Sequence, residues 1–132
     1  MSETTENNIL KSLSELEKSH FYLNKDISLN SVAVELSINQ RYLSYVINKH
    51  RTKDFASYIN ELRINYIIDR LKNDDNYLQY KISYLAELCG FSSREVFTTI
   101  FKKETGISPS YFIDNLKKDI DINSNEVEQH QE

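Results

Sequence analysis

Apolar residues recur every three or four positions through most of this chain, a spacing that predicts helices rather than strands. An amphipathic helix is expected within residues 1–21, after a polar start that we expect to be disordered. Residues 22–118 are dense in apolar positions and form the predicted folded domain. Residues 119–132 carry five acidic and no basic side chains, and we expect them to form an acidic, disordered tail. About six helices are predicted in the folded domain, at 29–36, 40–50, 55–71, 82–89, 93–104 and 109–118.

Residues with known preferences for helix ends support these boundaries. Ser28, Asn39 and Asp54 stand where a side-chain oxygen can accept a hydrogen bond from the first turn of a helix. Gly90 follows the 82–89 helix, at the position where a left-handed residue ends a helix. Ser108-Pro109 pairs a cap with proline at the first helical position, which predicts the start of the last helix.

The chain contains an internal repeat with the spacing of a helix-turn-helix. In each copy a small residue, Ala33 or Ala86, lies where two helices cross closely, and a turn residue follows four positions later. Gly90 suits that turn, whereas a left-handed conformation at Ser37 costs ~1 kcal/mol, so we expect the first turn to be strained or differently bent. The matched pairs are Val32/Leu85, Ala33/Ala86, Leu36/Cys89, Ser37/Gly90, Ile38/Phe91, Leu43/Phe97, Val46/Ile100 and Ile47/Phe101.

The second helix of each copy leaves one polar stripe outside, at positions i, i+1, i+4, i+5 and i+8. A single polar stripe is usually a solvated face, but two stripes in register inside helix-turn-helix frames favour the reading of base edges in a DNA major groove. A linker helix of ~17 residues, ~25 Å long, could place the two helices in successive grooves ~34 Å apart. The stripes are Gln40, Arg41, Ser44, Tyr45 and Asn48 in the first copy, and Arg94, Glu95, Thr98, Thr99 and Lys102 in the second.

The formal net charge of −4 argues against nucleic-acid binding at first sight. Its distribution changes the picture. Residues 22–118 hold 14 Lys+Arg and 11 Asp+Glu, a net of +3, whereas residues 1–21 contribute −2 and residues 119–132 contribute −5. The predicted folded domain is therefore mildly basic, and its nonspecific attraction to DNA should be modest.

Composition excludes several other classes. Two glycines and one proline cannot easily supply the turns of a β-sandwich. One cysteine, Cys89, excludes an internal disulfide and a Cys-rich zinc site, and its apolar helix position indicates a buried, inert thiol rather than a redox sensor. Neither a membrane-length apolar run nor a secretory signal is present, which leaves the cytoplasm as the expected compartment. No nucleotide-binding or catalytic motif is found, so we expect neither a cofactor nor a metal nor enzymatic activity.

The sequence resembles the DNA-binding domain of the AraC/XylS family of bacterial transcription regulators. The strongest stretch, Ile82 to Tyr111, contains Gly-Phe-Ser-Ser at 90–93, Phe-Lys-Lys at 101–103 and Thr-Gly-Ile-Ser-Pro at 105–109 with an aromatic residue after it. Tyr42-Leu43-Ser44 and the linker start are also similar to the family pattern. The resemblance covers roughly three quarters of the chain, about Phe21 to Leu116.

The resemblance implies an all-α fold in which two homeodomain-like helix-turn-helix units, at about 29–50 and 82–104, are joined by a long linker helix at about 55–71. It also implies a sequence-specific transcription regulator that binds double-stranded DNA, with RNA polymerase as a further candidate partner and a sensor or dimerisation region that this chain lacks. By the resemblance, the base-reading residues are Gln40, Arg41, Ser44, Tyr45, Arg94, Glu95, Thr98 and Thr99. The residues placed near phosphates are Asn39, Asn48, Ser93 and Lys102.

Some positions depart from the family pattern. Ser37 and Thr52 stand where the family often has glycine, and many members carry arginine at the places of Tyr45 and Thr99. Direct readout should therefore rely more on apolar contact with thymine methyl groups. Glu95 has two interpretations, since Ser92-x-x-Glu95 is also a capping box, which we favour. The alternative for the whole chain is a helical protein-interaction module, such as an anti-activator, derived from such a domain.

Overall fold

The computed structural model describes residues 1–130, and the side chains as far as Ile122. The described chain is all-α, as predicted, and it contains seven α-helices. Two short 3₁₀ helices, which were not predicted, span Phe21–Leu23 and Asp75–Gln79. None of the helices within the described residues is long and apolar enough to cross a membrane. The helices are α1 (Glu3–Lys18), α2 (Leu29–Leu36), α3 (Gln40–Arg51), α4 (Phe55–Asn73), α5 (Ile82–Leu88), α6 (Arg94–Thr105) and α7 (Pro109–His130).

The chain forms two compact units, and the division falls inside α4. The first unit is Met1–Arg63, and the second begins at Ile64. Each unit therefore contains one copy of the predicted repeat: α2 packs on α3 in the first, and α5 packs on α6 in the second.

The core of the first unit lies where α1 and α2 pack on α3. Ile9 and Leu13 of α1 are 3% and 0% exposed, and the inward residues of α3 are equally buried. The helical period of these apolar positions dictates the arrangement, because every third or fourth side chain of α3 must leave water. The expectation of a disordered polar start is wrong: α1 begins at Glu3, since the Ser2 side chain accepts a hydrogen bond from the backbone N–H of Thr5 at 3.1 Å.

The core of the second unit is aromatic. Phe97 and Phe101 of α6 are fully buried, and their ring centroids lie 5.7 Å apart. Phe91 from the turn and Phe112 from α7 extend the contacts, with centroids 5.6 Å from Phe97 and 5.5 Å from Phe101 respectively. Cys89, which directly follows α5, is fully buried, as its apolar position predicted.

The two helix-turn-helix turns are built alike. The backbone N–H of Ile38 donates to the carbonyl of Ala33 at 2.9 Å, and that of Phe91 donates to the carbonyl of Ala86 at 3.0 Å. Each bond closes a Schellman motif around a left-handed residue, which is Ser37 at φ 55° in one unit and Gly90 at φ 92° in the other. The predicted repeat is confirmed, and the first turn contains the strained serine that the sequence indicated.

The same difference recurs where the second helix of each unit ends. The chain leaves α3 through Thr52 at φ 59° and leaves α6 through Gly106 at φ 85°. A left-handed conformation suits glycine and is unusual for a β-branched residue. The first unit thus holds two non-glycine residues in left-handed geometry at the places where the second unit has glycine.

The last helix is longer than the sequence pattern indicated. Ser108 begins it as predicted, accepting a hydrogen bond from the Tyr111 N–H at 3.2 Å. The helix then continues to His130 instead of ending near Lys118, so the expected disorder is not found over residues 119–130. Neither glycine nor proline interrupts this segment, and extending an existing helix adds one hydrogen bond per residue. Residues 131 and 132 of the predicted tail lie outside the described residues.

Arg63 of α4 has a structural role that the sequence did not indicate. This charged side chain is only 9% exposed. Its Nε donates to the carbonyl of Tyr22 at 2.7 Å, and its Nη2 donates to the carbonyl of Asn24 at 2.9 Å. The guanidinium therefore ties the segment after α1 to α4 within the first unit, because buried carbonyls need donors.

Candidate nucleic-acid interface

The first predicted stripe lies on the outer face of α3. Its leucine and valine neighbours face the core, which leaves the polar side chains pointing outward. Ser44 is half-buried and the other members are exposed. Together with Leu29 they line one open depression of about 500 Å³. The structure thus brings all five residues of this stripe to one concave surface: Gln40, Arg41, Ser44, Tyr45 and Asn48.

Hydrogen bonds orient three of the polar side chains around α3. Asn39 caps the helix, since its Oδ1 accepts from the Arg41 N–H at 2.7 Å. Gln40 is held by Asn30 of α2, whose Oδ1 accepts from the Gln40 Nε2 at 2.7 Å. The Asn48 Nδ2 donates back to the Ser44 carbonyl at 3.0 Å. Asn30 was not among the predicted site residues, because its position on α2 gives no sign of a partner ten residues away.

Lys49 borders the first stripe and connects it to α1. Its ammonium lies 5.8 Å from the centre of the Tyr45 ring, a cation–π geometry, and 2.8 Å from Oε1 of Glu6. The His50 Nε2 lies 2.9 Å from the same Glu6 oxygen. The hydrogen bonds from Lys49 and His50 lower the pKa of the Glu6 carboxyl, and the bond to Glu6 raises the pKa of Lys49.

The first turn of α1 lies beside this surface. Met1, Arg41, Tyr42 and Tyr45 line a second open depression of about 350 Å³. The N-terminal end of α1 is therefore a neighbour of the start of α3. Met1 and Glu6 were not among the predicted site residues, and the acidic composition of residues 1–8 was the only signal that could have indicated them.

A second link between α1 and the end of α3 is centred on Glu17. Arg51 donates to both carboxylate oxygens, with Nη2 at 2.8 Å and Nε at 3.2 Å, and the Tyr58 hydroxyl donates at 2.7 Å. Burial alone acts to raise the pKa of Glu17, but the hydrogen bonds from Arg51 and Tyr58 outweigh it and lower the pKa. Burial and the bond to Glu17 raise the pKa of Tyr58 strongly. This bidentate arrangement fixes the position of α1 on α3.

The second predicted stripe lies on the outer face of α6. Thr98 is half-buried, and the other four members are exposed. Glu95 and Thr99 line an open depression of about 240 Å³ with Val96 and Ile100, whereas Arg94, Thr98 and Lys102 lie outside it. The lining of this depression is more apolar than that of the depression on α3.

The cap of α6 is Ser93 rather than Ser92. The Ser93 Oγ accepts from the Val96 N–H at 3.1 Å, which places Glu95 at the second helical residue. The interpretation of Ser92-x-x-Glu95 as a capping box is therefore wrong, because a capping box needs the acidic residue at the third helical position. Asn39 and Ser93, both predicted near phosphates, occupy the same capping position in the two units.

The two stripes contain three cations, Arg41, Arg94 and Lys102, and all three are exposed. Among the described residues, no carboxylate lies within 4.0 Å of Arg41, Arg94 or Lys102, whereas Lys49 and Arg51 are paired with α1. The charged groups of Arg41, Arg94 and Lys102 are therefore not engaged in ion pairs among the described residues. Such groups can donate to base edges or to phosphates without first breaking an internal ion pair.

Comparison with known proteins gives the family. A model of the helix-turn-helix domain of AraC type matches residues 32–115, which is more than half of the chain. The chain belongs to the AraC/XylS family. It is a DNA-binding helix-turn-helix domain of the type found in that family's bacterial transcription regulators. It is 29% identical over 109 residues to the TCP pilus virulence regulatory protein of Vibrio cholerae, a match that covers 80% of this chain and 38% of that relative. The chain therefore spans well under half of the length of that curated relative.

Solved structures confirm the AraC-type fold. The C-terminal domain of AraT, a response regulator from Geobacillus stearothermophilus, superposes with a TM-score of 0.69 at 24% identity, covering 82% of this chain and 84% of that one. The DNA-binding domain of AdpA, a global transcriptional factor solved in complex with a target DNA, gives a TM-score of 0.70 at 13% identity, covering 83% and 93%. At these identities the likeness establishes the fold alone.

Proposed function

We propose that this domain is a sequence-specific, double-stranded DNA-binding transcription regulator that inserts α3 and α6 into successive major grooves. The observation that carries the proposal is the pair of exposed, hydrogen-bonding stripes on the second helix of two alike helix-turn-helix units. The solved complex of AdpA with a target DNA supports it, since that protein has the same fold. Each stripe runs from position i to i+8, which is about two turns, or ~12 Å, of its helix.

The two stripes offer different readout chemistry. Arg41 and Arg94 can each donate two hydrogen bonds to the O6 and N7 of a guanine, and Gln40 can form a bidentate pair with adenine. Glu95 can accept a hydrogen bond from the amino group of cytosine. Because Glu95 is not part of a capping box, its carboxylate is available for this role. The remaining base-facing residues, Ser44, Tyr45, Thr98 and Thr99, provide hydroxyl groups and apolar contact with thymine.

Phosphate contacts would fix the register of each helix on the duplex. We assign this role to Asn39 and Ser93, which lie at helix N-termini where backbone N–H groups favour an anion. Asn48 and Lys102 are the last residues of the two stripes. Each lies eight residues after the first residue of its stripe. The regulator would act in the cytoplasm, with RNA polymerase as a candidate partner.

Fluorescence anisotropy with labelled genomic fragments tests the proposal. Arg41→Ala and Arg94→Ala should each weaken specific binding by about 1–3 kcal/mol, the value of one bidentate base contact. Arg70→Ala is the matched control, because Arg70 lies on α4 and pairs with Asp69 at 3.0 Å. If both stripe variants bind like the control, the assigned faces are wrong.

Salt dependence separates this function from the alternative. The logarithm of the affinity should fall linearly with the logarithm of salt concentration as counterions leave the DNA. A flat response would contradict DNA binding and would favour a helical protein-interaction module, the alternative suggested by the net charge of −4.

A further inference from the structure

We propose that Glu6 of α1 acts as an internal competitor of DNA phosphate for Lys49, and so lowers the affinity of the first recognition helix for DNA. The inference rests on the proposed DNA-binding function and adds a regulating residue to the same surface. The observation behind it is an ion pair between two residues 43 positions apart, with Lys49 Nζ 2.8 Å from Glu6 Oε1. This pair joins the start of α1 to the edge of the stripe on α3.

Lys49 lies where a phosphate contact would be made. It follows Asn48, a predicted phosphate ligand, and it lies one turn beyond Tyr45, over whose ring its ammonium is held. The ammonium side chain is 52% exposed, so solvent and a nucleic acid can reach it. The Glu6 side chain is only 13% exposed, and its Oε1 contacts both Lys49 Nζ at 2.8 Å and His50 Nε2 at 2.9 Å.

The second unit provides an internal comparison. Lys103 occupies the position that corresponds to Lys49 after the offset of 54 residues. Among the residues that the structure describes, no carboxylate lies within 4.0 Å of Lys103. The two copies of the helix-turn-helix thus differ in the availability of one equivalent cation, and the cause of the difference is α1.

The physical effect of Glu6 follows from its charge. The ion pair between the Glu6 carboxylate and the Lys49 ammonium must break before a phosphate can bind Lys49. The negative charge of the carboxylate also repels that phosphate. With Glu6 neutralised, Lys49 is free to release one more counterion from DNA. The slope of log affinity against log salt should then steepen by about 0.9.

The test uses the full chain and a labelled duplex titrated at several salt concentrations. Glu6→Gln should bind more tightly than the wild type, and this advantage should shrink by about 3.5-fold between 50 and 200 mM salt. Glu3→Gln is the matched control, because Glu3 is an exposed carboxylate in the same first turn of α1 without an ion pair to α3. It removes the same charge and should leave the slope unchanged.

A double-mutant cycle identifies the route of the effect. The gain from Glu6→Gln should disappear when Lys49→Gln is also present. Helix α1 should stay docked in these variants, since buried Ile9 and Leu13 and the Glu17–Arg51 pair hold it independently, and circular dichroism checks this. The single substitution Lys49→Gln leaves the sequence of α1 unchanged. Because Glu6 already competes for Lys49 in the wild type, Lys49→Gln should reduce the slope of log affinity against log salt by clearly less than 0.9.

Any one of the following results would overturn the inference. Glu6→Gln could bind no more tightly than Glu3→Gln, its gain could persist in the Lys49→Gln background, or Lys49→Gln alone could remove the full slope of about 0.9. Lower affinity in a folded Glu6→Gln variant would show that Glu6 positions Lys49 for DNA instead of withholding it. If the wild type shows no salt-dependent binding to any duplex, the proposed function fails and the inference fails with it.

Discussion

The left-handed residue at the end of α3 provides a quantitative test of the strain in the first unit. Thr52 holds φ 59° and ψ 26°, whereas the equivalent Gly106 holds φ 85°. A side chain in this region costs about 1–2 kcal/mol, and glycine loses about 0.5–1 kcal/mol more chain entropy on folding. Thr52→Gly should therefore stabilise the protein by about 0.5–1 kcal/mol.

Two further variants isolate the backbone term. Thr52→Ala removes the hydroxyl that donates to the Arg51 carbonyl at 2.6 Å but retains the Cβ, so it should bring no gain. Gly106→Ala is the reverse change. A Cβ added there meets no heavy atom within 4 Å, so its expected destabilisation of about 0.5–1 kcal/mol comes from the backbone alone.

Urea denaturation followed by far-UV circular dichroism measures these effects. With an m-value of about 2 kcal/mol/M, Thr52→Gly should raise the midpoint by about 0.25–0.5 M at an unchanged m. The reasoning is refuted if Thr52→Gly is no more stable than Thr52→Ala. It is also refuted if Gly106→Ala has the stability of the wild type.

Three other variants test separate features of the structure. Arg63→Met should destabilise the first unit by about 1–3 kcal/mol in urea denaturation, because the buried carbonyl of Tyr22 and the carbonyl of Asn24 lose their donor, and a change within error would contradict that role. Glu17→Gln should destabilise the protein at neutral pH but not at acidic pH: the native pKa of Glu17 lies below the ordinary 4.5, so its stabilisation is present above that value and is lost as the pH falls through the native pKa. Thermal melts of Glu17→Gln and wild type that differ equally at all pH values would contradict the contribution of the Arg51 and Tyr58 bonds to the charged form. Deletion of residues 123–132 should raise nonspecific DNA affinity at low salt by removing acidic charge, and equal affinity by anisotropy would show that this segment does not compete for the basic surface.

Local signals predicted the helix-turn-helix frames well. The caps at Ser28 and Asn39 and the turn at Gly90 depend on residues within one helical turn, and the structure confirms each of them. The capping residue of α6 was misassigned because Ser92 and Ser93 are adjacent and chemically equivalent. The repeat contained the answer, since the offset of 54 after the turn pairs Asn39 with Ser93.

Contacts between distant parts of the chain could not be predicted in this way. Glu6 and Lys49 are about 40 residues apart, and so are Arg63 and Tyr22. No local sequence pattern around these residues indicates which partner each one contacts. The continuation of α7 escaped prediction for a different reason. Beyond Lys118 the helical spacing of apolar residues ends, and Ile120 and Ile122 are 38% and 55% exposed. The helix continues there without a buried apolar face, so the hydrophobic pattern did not indicate it.

The two proposed reading faces lie on the same helix-turn-helix frame but carry different side chains, and this difference has a consequence for the gene that such a domain would control. A symmetric dimer reads a palindrome, which looks the same from either direction along the duplex. A single chain with Gln40 and Arg41 on one helix and Arg94 and Glu95 on the other has no twofold axis. Its operator would therefore have a direction, and inverting that short sequence within a promoter would turn the bound protein to face the opposite way along the DNA.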